Sequence, residues 1–417
     1  MSASTVTALF LFTLLVSNGI RLWLSLRQAR HVRLHRAAVP AEFAASIGLP
    51  AHQKAADYTL AKGRYGRLDL AWSLIWLLVL TLGGGLQWMH GWLAQWLDPA
   101  GLWHGMALFG LLSVLSFAWE LPGTLYQTFG LEARFGFNQT TPAVFIADTA
   151  KSALLTVLIG APLLWCVLWL MRSMGASWWL WTWALLIAFN LAAMVIYPLF
   201  IAPLFNKFEP LQDESLVSRI NALLARCGFQ SKGLFVMDGS RRSAHGNAYF
   251  TGFGAAKRIV FYDTLLKALT PEEVEAVLAH ELGHFKHRHI VQRLVLFALL
   301  SLAFFAILGW LAQQPAFFTG LGVPAQSEAL TLILFSLILG PFTFPLTPLM
   351  SFWSRKHEFE ADAYAVANAR AEDLVSALVK LYRDNASTLT PDPLHSLFYD
   401  SHPPAAIRIG RLKAAAV

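Results

Sequence analysis

The chain has 417 residues, of which 56% are hydrophobic and only 14% are charged, with a formal net charge of +7. This composition is typical of a polytopic membrane protein and excludes an ordinary soluble enzyme. The basic residues lie mainly between apolar runs and form no tract with interleaved aromatic residues. The positive charge therefore indicates membrane topology, and we expect membrane lipid but no nucleic acid as a partner.

About seven stretches are long and apolar enough to cross a bilayer, since a helical span needs roughly 20 residues. They lie near 5–26, 70–94, 102–122, 152–172, 177–200, 292–313 and 328–350. The first has no basic segment before it and no cleavage site after it, which predicts a retained span and not a signal peptide. Pro341, Pro345 and Pro348 predict a kink or break in the last span.

Lys and Arg residues are distributed unevenly among the loops between the spans. They are frequent after the first span, in the segment 201–290 and in the tail after 351, whereas the turns near 95–101 and 314–327 contain none. The positive-inside tendency therefore predicts an N-terminus outside or in a lumen, with the two polar segments in the cytoplasm. The protein would then be a multi-pass component of a bacterial inner membrane or the endoplasmic reticulum.

The two polar segments are each small, but together they can form one α+β domain. Helical periodicity over 215–227 precedes strand-like runs at Leu234–Val236, Ala248–Thr251 and Ile259–Tyr262. The sequence thus predicts four regions: five spans in 1–200, a catalytic segment in 201–290, two spans in 291–350, and a segment in 351–417 that completes the domain.

Residues 280–284, at the end of the first polar segment, form a short motif that is typical of metal-dependent hydrolysis. His280 and His284 are four residues apart, so on a helix they share one face and can bind a single zinc ion. Glu281 lies between them, where it can take a proton from a water molecule on that metal. An N-cap at Thr270 and a capping-box carboxylate at Glu273 independently predict the helix. The motif predicts a metal-dependent hydrolase.

A catalytic zinc site normally has three protein ligands, so a third must be found. Glu358 and Asp362 are four residues apart on a second predicted helix. Glu358 can therefore bind the metal while Asp362 accepts a hydrogen bond from a ligand imidazole. Taken alone, that spacing also fits a solvated helix start, but both helices are predicted on the same side of the membrane. His287 and Glu360 are the alternative ligands.

The residues that follow the motif exclude one zinc class. The metzincin pattern needs a glycine where His287 stands and a histidine where Ile290 stands. His287 and His289, together with Lys286 and Arg288, are more typical of a basic helix end at the membrane surface.

The pairing of the 280–284 motif with the 358–362 motif resembles the type I CAAX prenyl protease family of integral membrane zinc peptidases. Further matches lie at 58–66, 132–138, 203–208 and 401–404, and at Arg408. The resemblance implies seven helices around a large intramembrane chamber, with the metal site on its cytoplasmic side. It also implies one zinc ion per chain and endoproteolysis of C-terminal prenylated peptides.

Two further features suggest substrate contacts. The segment 247–252, with Asn247, Ala248 and Tyr249 at its start, alternates polar and apolar residues as a sheet edge does. Such an edge can bind an extended peptide as an added strand, although a plain hairpin fits equally well. His402 and Arg408 can donate to an oxyanion or hold a substrate carboxylate, or they can belong to a surface turn. The resemblance favours the functional role in both cases.

Two rival functions use the same observations. The first is a broad quality-control peptidase that cuts unprenylated membrane-associated peptides with the same site. The second is a transporter or scaffold with a structural metal site, in which ionisable residues within the spans carry the function. Arg21, Glu120 and Lys151 are the few candidates there, which argues against ion-coupled transport.

Overall fold

The computed structural model describes residues 1–251 and 258–415. It is mostly helical with one small sheet, which confirms the predicted fold class. Within the described residues, six helical stretches are long and apolar enough to cross a membrane. A pair of helices bent by 48° at a short break gives a seventh if the pair is one span, so the structure has six or seven candidate spans, in agreement with the prediction of about seven.

The N-terminal region consists of helices in five consecutive spans. These are α1 (Ala3–His35), α2 (Leu49–Leu80), α3 (Gly85–Leu93), α4 (Leu102–Leu125), α5 (Ala133–Phe135), α6 (Pro142–Leu155), α7 (Ala161–Ser173), α8 (Trp178–Ile196) and α9 (Ala202–Phe205). The bent pair is α2 with α3. Three of the spans contain a π-helical segment, at Tyr126–Glu132, Thr156–Gly160 and Tyr197–Ile201.

The first polar segment forms the sheet and three helices. Its elements are β1 (Phe208–Pro210), α10 (Glu214–Arg226), β2 (Leu234–Met237), β3 (Ala248–Thr251), β4 (Arg258–Tyr262), α11 (Asp263–Ala268) and α12 (Pro271–Lys286). The strand order is β1-β2-β4-β3, with β2 and β4 parallel and the other pairs antiparallel. The helix predicted at 215–227 and the three predicted strands are confirmed, whereas β1 was not predicted. Gly252 lies outside the described residues.

The remaining chain forms two further candidate spans and then helices that pack against the first polar segment, and we call these helices and that segment the polar unit. It forms α13 (His289–Leu311), α14 (Pro315–Gly320), α15 (Glu328–Thr343), α16 (Thr347–Asn368), α17 (Ala371–Asp384), α18 (Pro393–Tyr399) and α19 (Ala405–Ala415). A 3₁₀ turn at Phe344–Leu346 separates α15 from α16. The break predicted from the three prolines is therefore confirmed, because proline cannot donate to the helical hydrogen-bond ladder.

Two regions of the molecule bury their side chains differently. The spans enclose an apolar core that includes Phe10, Leu86 and Leu108, but they leave many large apolar side chains such as Phe12 and Val114 on the outside. An outward apolar side chain suits a surface that faces lipid.

The polar unit has its own core, and α12 lies within it. Val274, Ala276, Leu278 and Ala279 of α12 are buried together with apolar residues of α10, β4 and α17. The helix that carries the predicted metal motif is therefore held on several sides.

Candidate active site and metal centre

The start of α12 is fixed by a complete capping box. The Thr270 hydroxyl accepts a hydrogen bond from the Glu273 backbone N–H at 3.4 Å, and the Glu273 carboxylate accepts one from the Thr270 N–H at 2.8 Å. Lys380 of α17 donates to the same carboxylate at 2.7 Å. Since α12 then runs without interruption to Lys286, His280, Glu281 and His284 stand on a regular helix, as the sequence predicts.

A glycine lets the two site helices approach each other closely. A Cβ atom added at Gly283 would lie 2.8 Å from the Ala361 Cα atom and 3.0 Å from its carbonyl oxygen. Only glycine fits such a contact, because real Cβ atoms do not come this near to another backbone. The crossing of α12 and α16 at this point brings Glu358 of α16 beside the two histidines of α12.

His280, His284 and Glu358 form what we call the primary cluster, in which one ligand atom of each residue lies within 4.8 Å of the others. His280 Nε2 lies 3.4 Å from one carboxylate oxygen of Glu358, and His284 Nε2 lies 3.4 Å from the other. All three side chains are buried or partly buried. The structure thus brings together the three predicted ligands, although His284 and Glu358 are 74 positions apart in the sequence.

The primary cluster fits a metal ion. Each imidazole nitrogen lies 3.4 Å from one of the two Glu358 oxygens, which is close to the roughly 3.3–3.6 Å between two ligand atoms placed tetrahedrally at 2.0–2.2 Å from zinc. Within the described residues, Glu358 Oε2 is buried and accepts no hydrogen bond, and the nearest protein cation, Arg408 Nη1, lies 3.7 Å away. A buried carboxylate oxygen without a donor is costly unless a cation satisfies it. Two imidazoles and a carboxylate are also the donor set of a known class of catalytic zinc site.

Asp362 and Arg408 form a hydrogen-bonded pair at the ring nitrogen of His280 that does not face Glu358. His280 Nδ1 donates to Asp362 at 2.9 Å, so that Nε2 of the same ring faces Glu358. Arg408 is only 5% exposed and binds both carboxylate oxygens of Asp362, with its Nε at 2.9 Å. Burial disfavours the cation, but the hydrogen bond to Asp362 raises the pKa of Arg408. Arg408 is therefore a charged, buried partner of Asp362 and does not belong to a surface turn.

Glu281 faces a cavity beside the primary cluster. The cavity has a volume of about 370 Å³, and its lining includes His280, Glu281, Arg408, His402 and Asn247. Burial raises the pKa of Glu281, because the charged carboxylate loses water. A carboxylate in such surroundings is a stronger proton acceptor than one in water, as a general base requires.

His402 lies at the mouth of the same cavity. Its side chain is 60% exposed, and its Nε2 atom lies 3.4 Å from Glu358 Oε1. The Ser401 hydroxyl hydrogen-bonds to its other ring nitrogen at 3.0 Å. The imidazole thus presents one nitrogen to the site and retains access to solvent or substrate.

The predicted substrate strand is an edge of the sheet beside the cavity. The Asn247 carbonyl accepts from the Tyr262 N–H, so in the antiparallel pairing the Ala248 backbone groups point away from β4. The Asn247 side chain accepts from the Ala248 N–H at 2.8 Å. Asn247 and Ala248 line the cavity with Glu281, whereas Tyr249 does not line it. The edge therefore lies beside the candidate base.

The loop before β3 is anchored to other parts of the chain. Arg242 binds both carboxylate oxygens of Asp148 in α6 and donates to Asn206 at 2.9 Å. Asn385, which follows α17, accepts hydrogen bonds from His245 and from the Gly246 N–H. Asn385 also lines the cavity, together with Tyr382. These two lining residues were not predicted, because no motif marks them.

Two of the sequence segments that carry the resemblance, 58–66 and 132–138, meet beside this loop. Tyr58 donates to Glu132 at 2.7 Å, and Phe137 packs against Tyr58. Phe137 also stacks on His245 with a ring separation of 4.4 Å. These contacts link α2 and residues 132–137, which end the span that begins with α4, to the loop that precedes β3.

The interpretation of His287 and His289 as a basic helix end at the membrane surface does not fit His289. Its side chain is 1% exposed and lies against His284, His357 and Glu360. His287 is exposed and does fit that interpretation. The sequence gives no local signal that separates the two, because the turn after α12 decides which of them folds back.

Two family models cover nearly the whole chain. One, described as the CAAX prenyl protease N-terminal region with five membrane helices, matches residues 28–207. The other, Peptidase family M48, matches residues 210–416. Their junction coincides with the passage from the five N-terminal spans to the polar segment.

Relatives of known name match over almost their entire length. The CAAX prenyl protease 1 homolog of Oryza sativa subsp. japonica is 34% identical, with 94% of each chain covered. The homolog of Homo sapiens is 30% identical, with 96% of this chain and 94% of that protein covered. The crystal structure of S. mikatae Ste24p superposes with a TM-score of 0.91 and 31% identity, covering 99% of each chain.

The fold and the site together define an integral membrane metalloprotease with several spans. This class excludes the transporter or scaffold with a structural metal site. The chain belongs to Peptidase family M48, among the CAAX prenyl protease 1 proteins.

Proposed function

We propose that the protein is a zinc endopeptidase that cuts peptides near a prenylated C-terminus, with its site on the cytoplasmic side of the membrane. The observation that carries the proposal is the primary cluster, in which two helices place His280, His284 and Glu358 around one point beside Glu281. The names of the relatives support the prenylated substrate. The distribution of Lys and Arg supports the orientation.

In this proposal His280, His284 and Glu358 hold the zinc ion. When bound, zinc would acidify a water molecule and polarise the scissile carbonyl. Glu281 accepts the proton of the attacking water and later delivers one to the leaving amine. His402 is placed to donate to the developing oxyanion from the mouth of the cavity. Arg408 acts mainly through Asp362, which orients His280.

The substrate would bind along β3 as an additional strand. The outward backbone groups of Ala248 offer one donor and one acceptor, and the Asn247 amide now occupies the donor. Displacement of that amide by a substrate carbonyl would free Asn247 to contact the peptide. Tyr249 would support the strand from its other face. The scissile amide would then enter the cavity that Glu281 lines.

The decisive experiment compares one peptide with and without a farnesyl group on its cysteine. We expect the wild type to cleave the farnesylated peptide and the Glu281→Gln variant to cleave neither, as followed by mass spectrometry. Equal cleavage of the two peptides would favour the broad quality-control peptidase. Cleavage by Glu281→Gln at the wild-type rate would contradict the catalytic scheme itself.

A further inference from the structure

A second group of two histidines and a carboxylate lies next to the primary cluster. It consists of His289, His357 and Glu360, and one ligand atom of each lies within 4.8 Å of the others. We call it the adjacent cluster. The catalytic scheme above uses none of its residues, so its role has to be read from its contacts.

The adjacent cluster is hydrogen-bonded to a metal ligand. His284 Nδ1 lies 2.9 Å from His289 Nδ1, and His289 Nε2 lies 2.9 Å from a carboxylate oxygen of Glu360. These contacts form a continuous chain from ligand to carboxylate. Lys356 lies 3.8 Å from the other oxygen of Glu360, which favours the charged form of that carboxylate.

This series of hydrogen bonds determines which ring nitrogens of His284 and His289 carry a proton. His284 Nε2 faces Glu358 and must be free of a proton to bind a metal, so its Nδ1 carries the proton. His289 Nδ1 must then accept that proton's hydrogen bond, and His289 Nε2–H must donate to Glu360. Each hydrogen bond in the chain thus has one donor and one acceptor, with both rings neutral.

We propose that His289 and Glu360 form a relay that sets the tautomer and orientation of the ligand His284. The proposal rests on the assignment of His284 as a zinc ligand. His280 has the same kind of support in a single step, because it donates directly to Asp362. The two imidazole ligands are therefore oriented by separate carboxylates, one directly and one through His289, which is a positioning residue.

The backbone and the neighbouring rings hold the relay in place. Arg288 adopts a left-handed conformation with φ of 55°, which is costly for a residue with a side chain and turns His289 back toward His284. The His357 ring stacks on the His289 ring with centroids 3.8 Å apart and an interplanar angle of 8°. His357 itself hydrogen-bonds to Gln292 at 3.1 Å. The orientation of the His289 ring is thereby fixed.

The same proton positions argue against a second metal ion in the adjacent cluster. A metal on His289 Nε2 would require the proton on His289 Nδ1, which would then donate to His284 Nδ1. The remaining proton of His284 would have to sit on Nε2, where it would block the bond to the catalytic metal. Neutral His284 and His289 cannot both be metal ligands in the observed geometry.

The test measures zinc binding, independently of activity, on the full chain in detergent. Apparent zinc affinities are obtained by competition with a chelator of known affinity, and zinc per chain by mass spectrometry. His289→Phe keeps the ring for stacking but removes both hydrogen bonds, and Glu360→Gln removes the charge at a position that is 34% exposed. We expect each variant to bind zinc about 10–100-fold more weakly.

Three further variants separate the relay from other roles. The double variant His289→Phe/Glu360→Gln should bind zinc no more weakly than His289→Phe alone, because both substitutions break the same series of hydrogen bonds to His284. His357→Phe, which keeps the stacked ring, and the exposed His287→Ala should both bind zinc as the wild type does. A thermal unfolding midpoint lowered in Glu360→Gln, with zinc affinity unchanged, would show a purely structural role and overturn the proposal.

Other outcomes also decide the question. Two zinc ions per wild-type chain, falling to one in His357→Phe, would show a second metal site and overturn the relay. Unchanged zinc affinity in both His289→Phe and Glu360→Gln would overturn it as well. Failure of the zinc site itself would look different, since Glu358→Ala would then bind zinc as tightly as the wild type.

Discussion

The primary and adjacent clusters each consist of two histidines and a glutamate, but the hydrogen bonds of their ring nitrogens and carboxylate oxygens differ. In the primary cluster the ring nitrogens of His280 and His284 converge on Glu358 at 3.4 Å, and one oxygen of Glu358 accepts no hydrogen bond from the described residues. In the adjacent cluster both nitrogens of His289 are engaged at 2.9 Å. A buried atom without a hydrogen-bond partner does not by itself mark the metal site, because His357 Nδ1 of the adjacent cluster also has none among the described residues. The difference is that His289 has both ring nitrogens engaged, whereas His280 and His284 each direct a ring nitrogen at Glu358.

The largest contrast is expected between alanine substitutions of the two glutamates. Glu358→Ala should abolish zinc binding and peptide cleavage, because it removes a ligand from a site with three. Glu360→Ala should still hold one zinc ion per chain when zinc is in excess. Metal analysis of the purified variants checks both expectations. Loss of zinc from Glu360→Ala together with its retention in Glu358→Ala would reverse our assignment of the clusters.

The role of Glu281, which lies beside the primary cluster, can be tested separately from metal binding. Glu281→Gln should retain one zinc ion per chain and lose on the order of 10²–10⁴-fold in kcat/KM, which is the usual contribution of a general base. Zinc content and cleavage rate are measured on the same preparation. A variant that loses both would show that Glu281 also supports the metal, and the roles would have to be revised.

The direct and relayed supports can be compared through Asp362. Asp362→Asn weakens the hydrogen bond from His280 and breaks the paired contact with Arg408, so we expect zinc affinity to fall about 10–100-fold. Chelator competition beside Glu360→Gln checks this prediction. If Asp362→Asn leaves the zinc affinity as in the wild type, the direct support for His280 does not exist in the form described.

The smallest expected effect concerns the helix crossing that both clusters share. Gly283→Ala should destabilise the protein by about 1–3 kcal/mol, because its methyl group would collide with the backbone at Ala361. Gly410→Ala in α19 is the matched control, since its added methyl group would meet nothing within 4 Å. Thermal unfolding and zinc affinity are measured for both. Equal stability of the two variants would contradict the tight crossing.

Much of the fold follows from local sequence. The spans follow from apolar runs of sufficient length, and the break before α16 follows from the prolines around 341–348. The capping box at Thr270 and Glu273 fixes the start of α12 several turns before the metal motif. The predicted domain boundaries near 200, 290 and 350 stay predictions. Helices α17 to α19 were missed, because the tail was interpreted mainly through its motifs.

The candidate site was predictable where spacing along one helix carries the information. His280 and His284, like Glu358 and Asp362, are one helical turn apart, and that spacing alone places each pair on one face. The sequence left His287 and Glu360 open as third ligands. Neither joins the primary cluster, because His287 is exposed beyond the end of α12 and Glu360 faces His289.

The sequence by itself determined the helical spans, the two site helices and the residue types that can hold zinc. Only the tertiary structure decided that Glu358 meets the histidines, that Arg408 is buried on Asp362, and that His289 turns inward to Glu360. The physical reason is that these contacts join residues 46 to 78 positions apart, and that they depend on one close helix crossing and one left-handed turn. No periodicity along the chain records such contacts.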